Sequence, residues 1–119
     1  STQLSEGAGA WEVMAAIVIS MDSRKMTNPD LDIRYLLPDR IEEWSEGEVT
    51  DDGYDYVDED GHILAVWLET KDAEAWWPKI VELLKTERFM DNDLSQSSTV
   101  LISEESGAEI GKCRQVWPE

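Results

Sequence analysis

The residues of this chain with the greatest chemical capacity lie between Ile41 and Thr70. The stretch IEEWSEGEVTDDGYDYVDEDGHILAVWLET holds eleven carboxylates, no Lys or Arg, three Gly and the only His. Clustered carboxylates can bind hard cations, serve acid–base chemistry, or present an anionic face to a partner. Each use demands its own spacing. Aligning Gly53 with the invariant glycine of a calcium loop brings Glu48, Thr50, Asp52, Tyr54 and Glu59 near ligand positions. The first position then lacks Asp, and Asp55 stands where an apolar residue belongs. Weak divalent binding is expected, and no specific metal site.

His62 opens a strand directly after a turn, with no nucleophile at a recognisable spacing, so no general base is assigned. Cys113 lies in GKCRQ. Its cationic neighbours Lys112 and Arg114 would activate the thiol, whereas an alternating strand would make it a small core residue. The sequence contains no GxGxxG, Walker loop, HExxH or CxxC. The expectation is no catalytic residue, no cofactor and no metal.

The anionic face is what the sequence favours. Asp51, Asp52, Asp55, Asp58, Glu59 and Asp60 have Tyr54 and Tyr56 among them, amphipathic side chains suited to anchoring a partner. A plainer use exists: carboxylates on an edge strand repel any second edge. The formal charge is −17, and residues 39–60 carry eleven of the twenty-seven acids, so the charge is localised. Such a field repels nucleic acids and anionic membranes and attracts cationic proteins. Six tryptophans add a second feature. Trp11, Trp44 and Trp76 suit a core, while Trp67, with Ile63 and Ala65, and Trp117 would form an apolar patch if their sheet face is uncovered. A second copy of the chain is the commonest cover for such a patch.

The elements that must position these residues follow from periodicity. Residues 1–10 read as a flexible leader, and 11–119 as a single domain. Trp11–Ser20 and His62–Leu68 are apolar on both faces, as strands buried from two sides are. Glu48–Val57 is the acidic outer arm of a hairpin, with a bulge or turn at Asp51-Asp52-Gly53 and a tight hairpin turn at Asp58–Gly61. A first helix is expected over 30–46, entered at Asn28-Pro29 and broken at Leu37-Pro38. A second is expected over 72–88, capped by Asp72 or Thr70. Its stripe is Ala73, Trp76, Trp77, Ile80, Val81 and Leu84. Pro78 should kink it or mark its start. Thr99–Ile102 and Ala108–Val116 close the chain as a hairpin.

This order predicts an α+β, ferredoxin-like (split βαβ) sandwich, β-α-β-β-α-β plus an extra C-terminal strand. Its two central strands would be the two that are apolar on both faces. At 119 residues the chain can bury roughly two-thirds of its unfolded surface. One cysteine excludes an intramolecular disulfide, and no basic, apolar leader precedes the first strand. A cytoplasmic protein is expected. The function these features favour is non-enzymatic: an acidic domain that masks a basic protein surface, as an immunity or inhibitor protein for a cationic toxin or nuclease would, or a mimic of DNA charge. The alternative is a homodimeric small-molecule-binding or enzymatic domain whose site lies on the open sheet face. Catalysis there would rest on His62, Tyr54, Tyr56 and nearby carboxylates.

Overall fold

The structure, a computed structural model, describes residues 14–118. The expected leader and Trp11 lie outside the described residues. Five strands form one sheet: β1 (Ala15–Asp22), β2 (Val49–Tyr56), β3 (Ile63–Thr70), β4 (Ser98–Ser103) and β5 (Arg114–Trp117). Their order across the sheet is β2-β3-β1-β4-β5, and every neighbouring pair is antiparallel. Helices α1 (Ile33–Trp44) and α2 (Ala73–Thr86) complete an α+β chain. As expected from their apolar residues on both faces, β1 and β3 pair with each other, Ile17 opposite Leu68 and Ile19 opposite Val66.

Alternation divides each strand between two layers. Ile17, Ile19, Met21, Leu64, Val66, Leu68, Val100 and Ile102 face the helices and join Ile33, Leu37, Ile41, Ile80, Val81 and Leu84 in one core. On the opposite face Ala16, Val18 and Ala65 are fully buried. Trp67 lies beside them, half-buried, and its indole N–H donates to the Ala108 carbonyl at 2.8 Å. The chain after β4 therefore reaches that face, and Trp67 is not part of a bare patch. Trp117 pairs with Val100 and packs on the helix-side core, so it does not share a face with Trp67.

The helices depart from expectation at their prolines. Pro38 and Pro78 sit inside α1 and α2, and neither helix begins or breaks there. Each proline leaves one carbonyl four residues earlier without its helical donor, at roughly 3 kcal/mol. In α1 the burial of Ile33, Leu37 and Ile41 offsets this, since each such side chain contributes about 1.5–3 kcal/mol. Helix α1 also starts later than Asn28-Pro29 suggested, at Ile33. Its Asp32 makes no side-chain cap, and the Asp32 N–H instead donates to Asp30 Oδ1 at 2.9 Å. Its C-terminus closes with Glu46 N–H to Glu43 O and Gly47 N–H to Glu42 O, with φ positive at both residues. Helix α2 matches its predicted cap, with Asp72 accepting from the Ala75 N–H, and most of its stripe: Ala73, Ile80, Val81 and Leu84 are buried, Trp76 and Trp77 are partly buried against the core, and Leu83, outside the predicted stripe, is buried as well. The last predicted strand is shortened, because 110–112 form a 3-10 turn and only Arg114–Trp117 pair.

Candidate functional site

The hairpin's outer arm lies at the sheet edge, and only Val49 of its eight residues is buried. The register shifts between Asp51 and Tyr54, where Gly53 adopts φ +100° and donates its N–H to Asp51 Oδ1 at 2.9 Å. Of the bulge or turn expected there, the structure has a bulge. Beyond it Tyr54 pairs with Val66 and Tyr56 with Leu64, so both tyrosines share the helix-side face, while Asp55 opposes Ala65 on the other. Asp52 extends toward the chain after β4. A methyl group added at Gly107 would lie 3.8 Å from its Oδ2.

Tyr54 meets α1. Its ring stands edge-on to Tyr35 at 6.0 Å between centroids, and the Arg34 guanidinium lies over both, 4.5 Å from Tyr35 and 5.3 Å from Tyr54. Arg34, and after it Tyr54, hold the Tyr35 hydroxyl below the usual tyrosine range. Leu31, Tyr35, Tyr54 and Tyr56 are 54, 48, 44 and 37% exposed, and they are four of the six large apolar residues exposed among the described residues. Val57 continues from Tyr56 onto the other face. Leu36 lies four residues before Arg40, on the flank that turns to Glu87. An aromatic patch thus spans the junction of α1 and β2, with the Arg34 guanidinium over two of its rings, Asp51 on the same sheet face and Asp55 on the opposite one.

The ion pairs show where cations are spent. Arg24 is held by Asp22, Arg40 by Glu87 and Glu43, Arg88 by Asp93 and Arg114 by Glu74. None of the ion pairs among the described residues joins a Lys or Arg to Asp51, Asp52, Asp55, Glu59 or Asp60. Their negative potential adds at close range.

At the hairpin's end Gly61 takes φ +73°, and Asp58 accepts from the Ile63 N–H at 2.9 Å and the His62 N–H at 3.1 Å. The Ile63 N–H is the main cause that holds the Asp58 carboxyl below the usual carboxylate range. Partial burial opposes it, and the His62 N–H adds to it. Asp58, Asp60 and His62 bring one ligand atom each to within 4.8 Å of one another. The residues aligned above to a calcium loop come together in no such way: Thr50, Asp52 and Tyr54 lie along an extended strand. Cys113 is half-buried with its thiol toward the Ala108 and Glu109 carbonyls, and burial pushes its pKa up. Cys113 thus sits at the end of the 3-10 turn, before β5 and outside the core, so it is not the core residue of an alternating strand, and desolvation opposes the activation that Lys112 and Arg114 could give.

Beside the hairpin end is a cavity of about 110 Å³, walled by Met21, Met26, Leu31, Ile33, Tyr56 and Leu64, with Asp30 and His62 at its lining. Three contacts hold its walls in place. The Ser23 N–H donates to the His62 carbonyl at 2.9 Å. Buried Asn92 donates to the Asn28 carbonyl and accepts from the Asn28 N–H, both at 2.7 Å.

Of the residues singled out from sequence, the structure brings Tyr54, Tyr56, Asp51, Asp55, Asp58, Glu59 and Asp60 onto one exposed arm. Asp52 is turned toward Gly107, and Trp67 lies on the opposite sheet face. Sequence reasoning missed Leu31, Arg34 and Tyr35. The signal was present: LDIRYLLP holds more apolar residues than the single stripe Ile33, Leu37, Ile41 requires.

Compared with known proteins, the chain matches no family, no curated protein and no solved structure. No helix among the described residues is long and apolar enough to cross a membrane.

Proposed function

We propose that this protein is a non-enzymatic acidic binding protein that masks a basic surface of a partner protein in the cytoplasm. An immunity or inhibitor protein for a cationic toxin or nuclease, or a mimic of DNA charge, has this character. The observation that carries the reading is an exposed aromatic patch, Leu31, Tyr35, Tyr54 and Tyr56, that includes two side chains of an outer arm whose acids Asp51, Asp52 and Asp55 make no ion pair with a Lys or Arg among the described residues. Exposed aromatics are the side chains that anchor interfaces, and the acids around them select a cationic partner and speed its approach. Edge protection requires the charge but not the aromatics. The scaffold beneath is, on this proposal, a split βαβ ferredoxin-like sheet with β5 appended outside β4. In its favour are the antiparallel order β2-β3-β1-β4 and two helices that share one face.

The test is capture from cell extract on the immobilised protein at low salt, elution by salt, and kinetics with the purified partner. The expected partner is basic, released sharply by salt, and associates more slowly with the triple variant Asp52→Asn, Asp55→Asn, Asp58→Asn. The variant should also show a flatter salt dependence. A neutral or acidic partner, or an association rate untouched by the triple substitution, overturns the reading.

A further inference from the structure

We propose that the cavity between the hairpin end and the entry of α1 is a socket for one lysine side chain of the basic partner. This rests on the docking reading above and names the contact that would fix the register.

The socket is too small for a metabolite. Sites for small ligands run to about 300–1,000 Å³, against about 110 Å³ here, room for a single side chain. Its walls are mainly aliphatic and aromatic, with buried Met21, Ile33 and Leu64, half-buried Met26, and exposed Leu31 and Tyr56. A four-carbon stem buries itself on such walls while its charged head stays at the mouth. The mouth is acidic from two directions. Asp30 comes from the entry of α1, and Asp58 and Asp60 from the hairpin turn, both close to the lining residue His62. The nearby Arg24 is held chiefly by Asp22 through hydrogen bonds of 2.9 and 3.0 Å, and it feels Asp58 and Asp60 only as weaker, more distant charges.

Separate carboxylates on two elements suit a compact ammonium with three rotatable donors. A planar guanidinium is matched best by one bidentate carboxylate. An uncharged apolar side chain would fill the walls equally well but would strip water from the carboxylates without replacing it, which is unfavourable. The socket adjoins the aromatic patch, since Leu31 and Tyr56 belong to both.

The experiment is methyl and backbone-amide NMR of the full chain, titrated at low salt with the peptide Ac-Gly-Gly-Lys-Gly-Gly-amide and its norleucine and arginine counterparts. The expected result is saturable shifts of the Met26 and Leu31 methyls with the lysine peptide. Norleucine should bind roughly tenfold or more weakly, as loss of a charge-assisted hydrogen bond predicts, and arginine more weakly than lysine. Asp30→Asn keeps the oxygen that accepts from the Asp32 N–H, so α1 should stay intact. It should weaken the lysine peptide while leaving norleucine unchanged. Norleucine binding as tightly as lysine overturns the cationic socket, and arginine binding as tightly overturns the choice of lysine. Shifts confined to β2 amides, with Met26 and Leu31 silent, overturn the socket and leave acidic docking standing. Silence at both places removes both.

Discussion

The two arms of the central hairpin have the same length and share one turn, yet they face opposite demands. Strand β3 lies between β1 and β2, with Leu64, Ala65, Val66 and Leu68 buried. Strand β2 lies at the edge, and after Val49 nothing in it is buried. Packing dictates the composition of β3. It dictates almost nothing in β2, so three Asp and two exposed Tyr there answer to some other requirement. The far edge supplies a control. Strand β5 is also an edge, and it limits pairing by being only four residues long. An edge can therefore be guarded cheaply in this fold. Strand β2 keeps eight residues, a bulge, a localised negative field and two aromatic rings in solvent, which edge protection alone does not require.

The largest expected effect breaks the comparison on the buried side. Leu68→Ala, at a fully buried position, should destabilise the domain by about 2–5 kcal/mol in urea unfolding. Asp55→Ala on the outer arm should change stability by less than about 0.5 kcal/mol. Amide exchange should be slowest in β1 and β3. Exchange in β2 as slow as in β3 would mean that the outer arm is covered, and the contrast would fail.

The next effect belongs to the exposed arm and is read in binding. Tyr54→Ala or Tyr56→Ala should speed dissociation of the captured partner by roughly tenfold or more, the scale of an interface anchor. Association should change little. Stability should fall only modestly, since both rings are partly exposed. The triple Asp→Asn variant is the converse, slowing association with little effect on release. If it leaves binding unchanged but light scattering shows new oligomers, the carboxylates serve only to keep the edge unpaired.

The same contrast explains what the sequence disclosed. Two-sided apolar runs marked β1 and β3 as the paired central strands, because burial leaves a periodic imprint. The Asp51-Asp52-Gly53 bulge and the Asp72 cap were legible because each rests on local chemistry. The reading failed where distant packing outweighs local preference. Local preference breaks the helix at Pro38, yet the burial of Ile33, Leu37 and Ile41 carries α1 through it. The acidic half of the candidate site was visible as composition. Its aromatic half was not, because Tyr35 and Tyr54 are nineteen residues apart and only α1 packing beside β2 makes them neighbours.

The smallest expected effect tests the turn that joins the two arms. Asp58 is ionised below its ordinary range because the Ile63 and His62 N–H groups are satisfied by its carboxylate. A folded-state pKa depressed below the unfolded value of about 3.9 contributes stability that is fully present above that value. The contribution is lost as pH falls through the lower folded pKa. Asp58→Asn offers one amide oxygen where the carboxylate offered two, so one of the two N–H groups loses its partner. The variant should therefore be slightly less stable than the parent at pH 7, and the two should converge as the pH drops through the acid range. Since Asp58 lies at the surface, solvent screens the effect and it should be small. Protonation of the other carboxylates acts on both proteins nearly alike, while the repulsion felt by Asp58 itself is absent from the variant and narrows the gap at pH 7. Urea unfolding of the pair from pH 7 to pH 3 measures it. A gap that widens toward acid would mean that the carboxylate is not what holds the end of the hairpin.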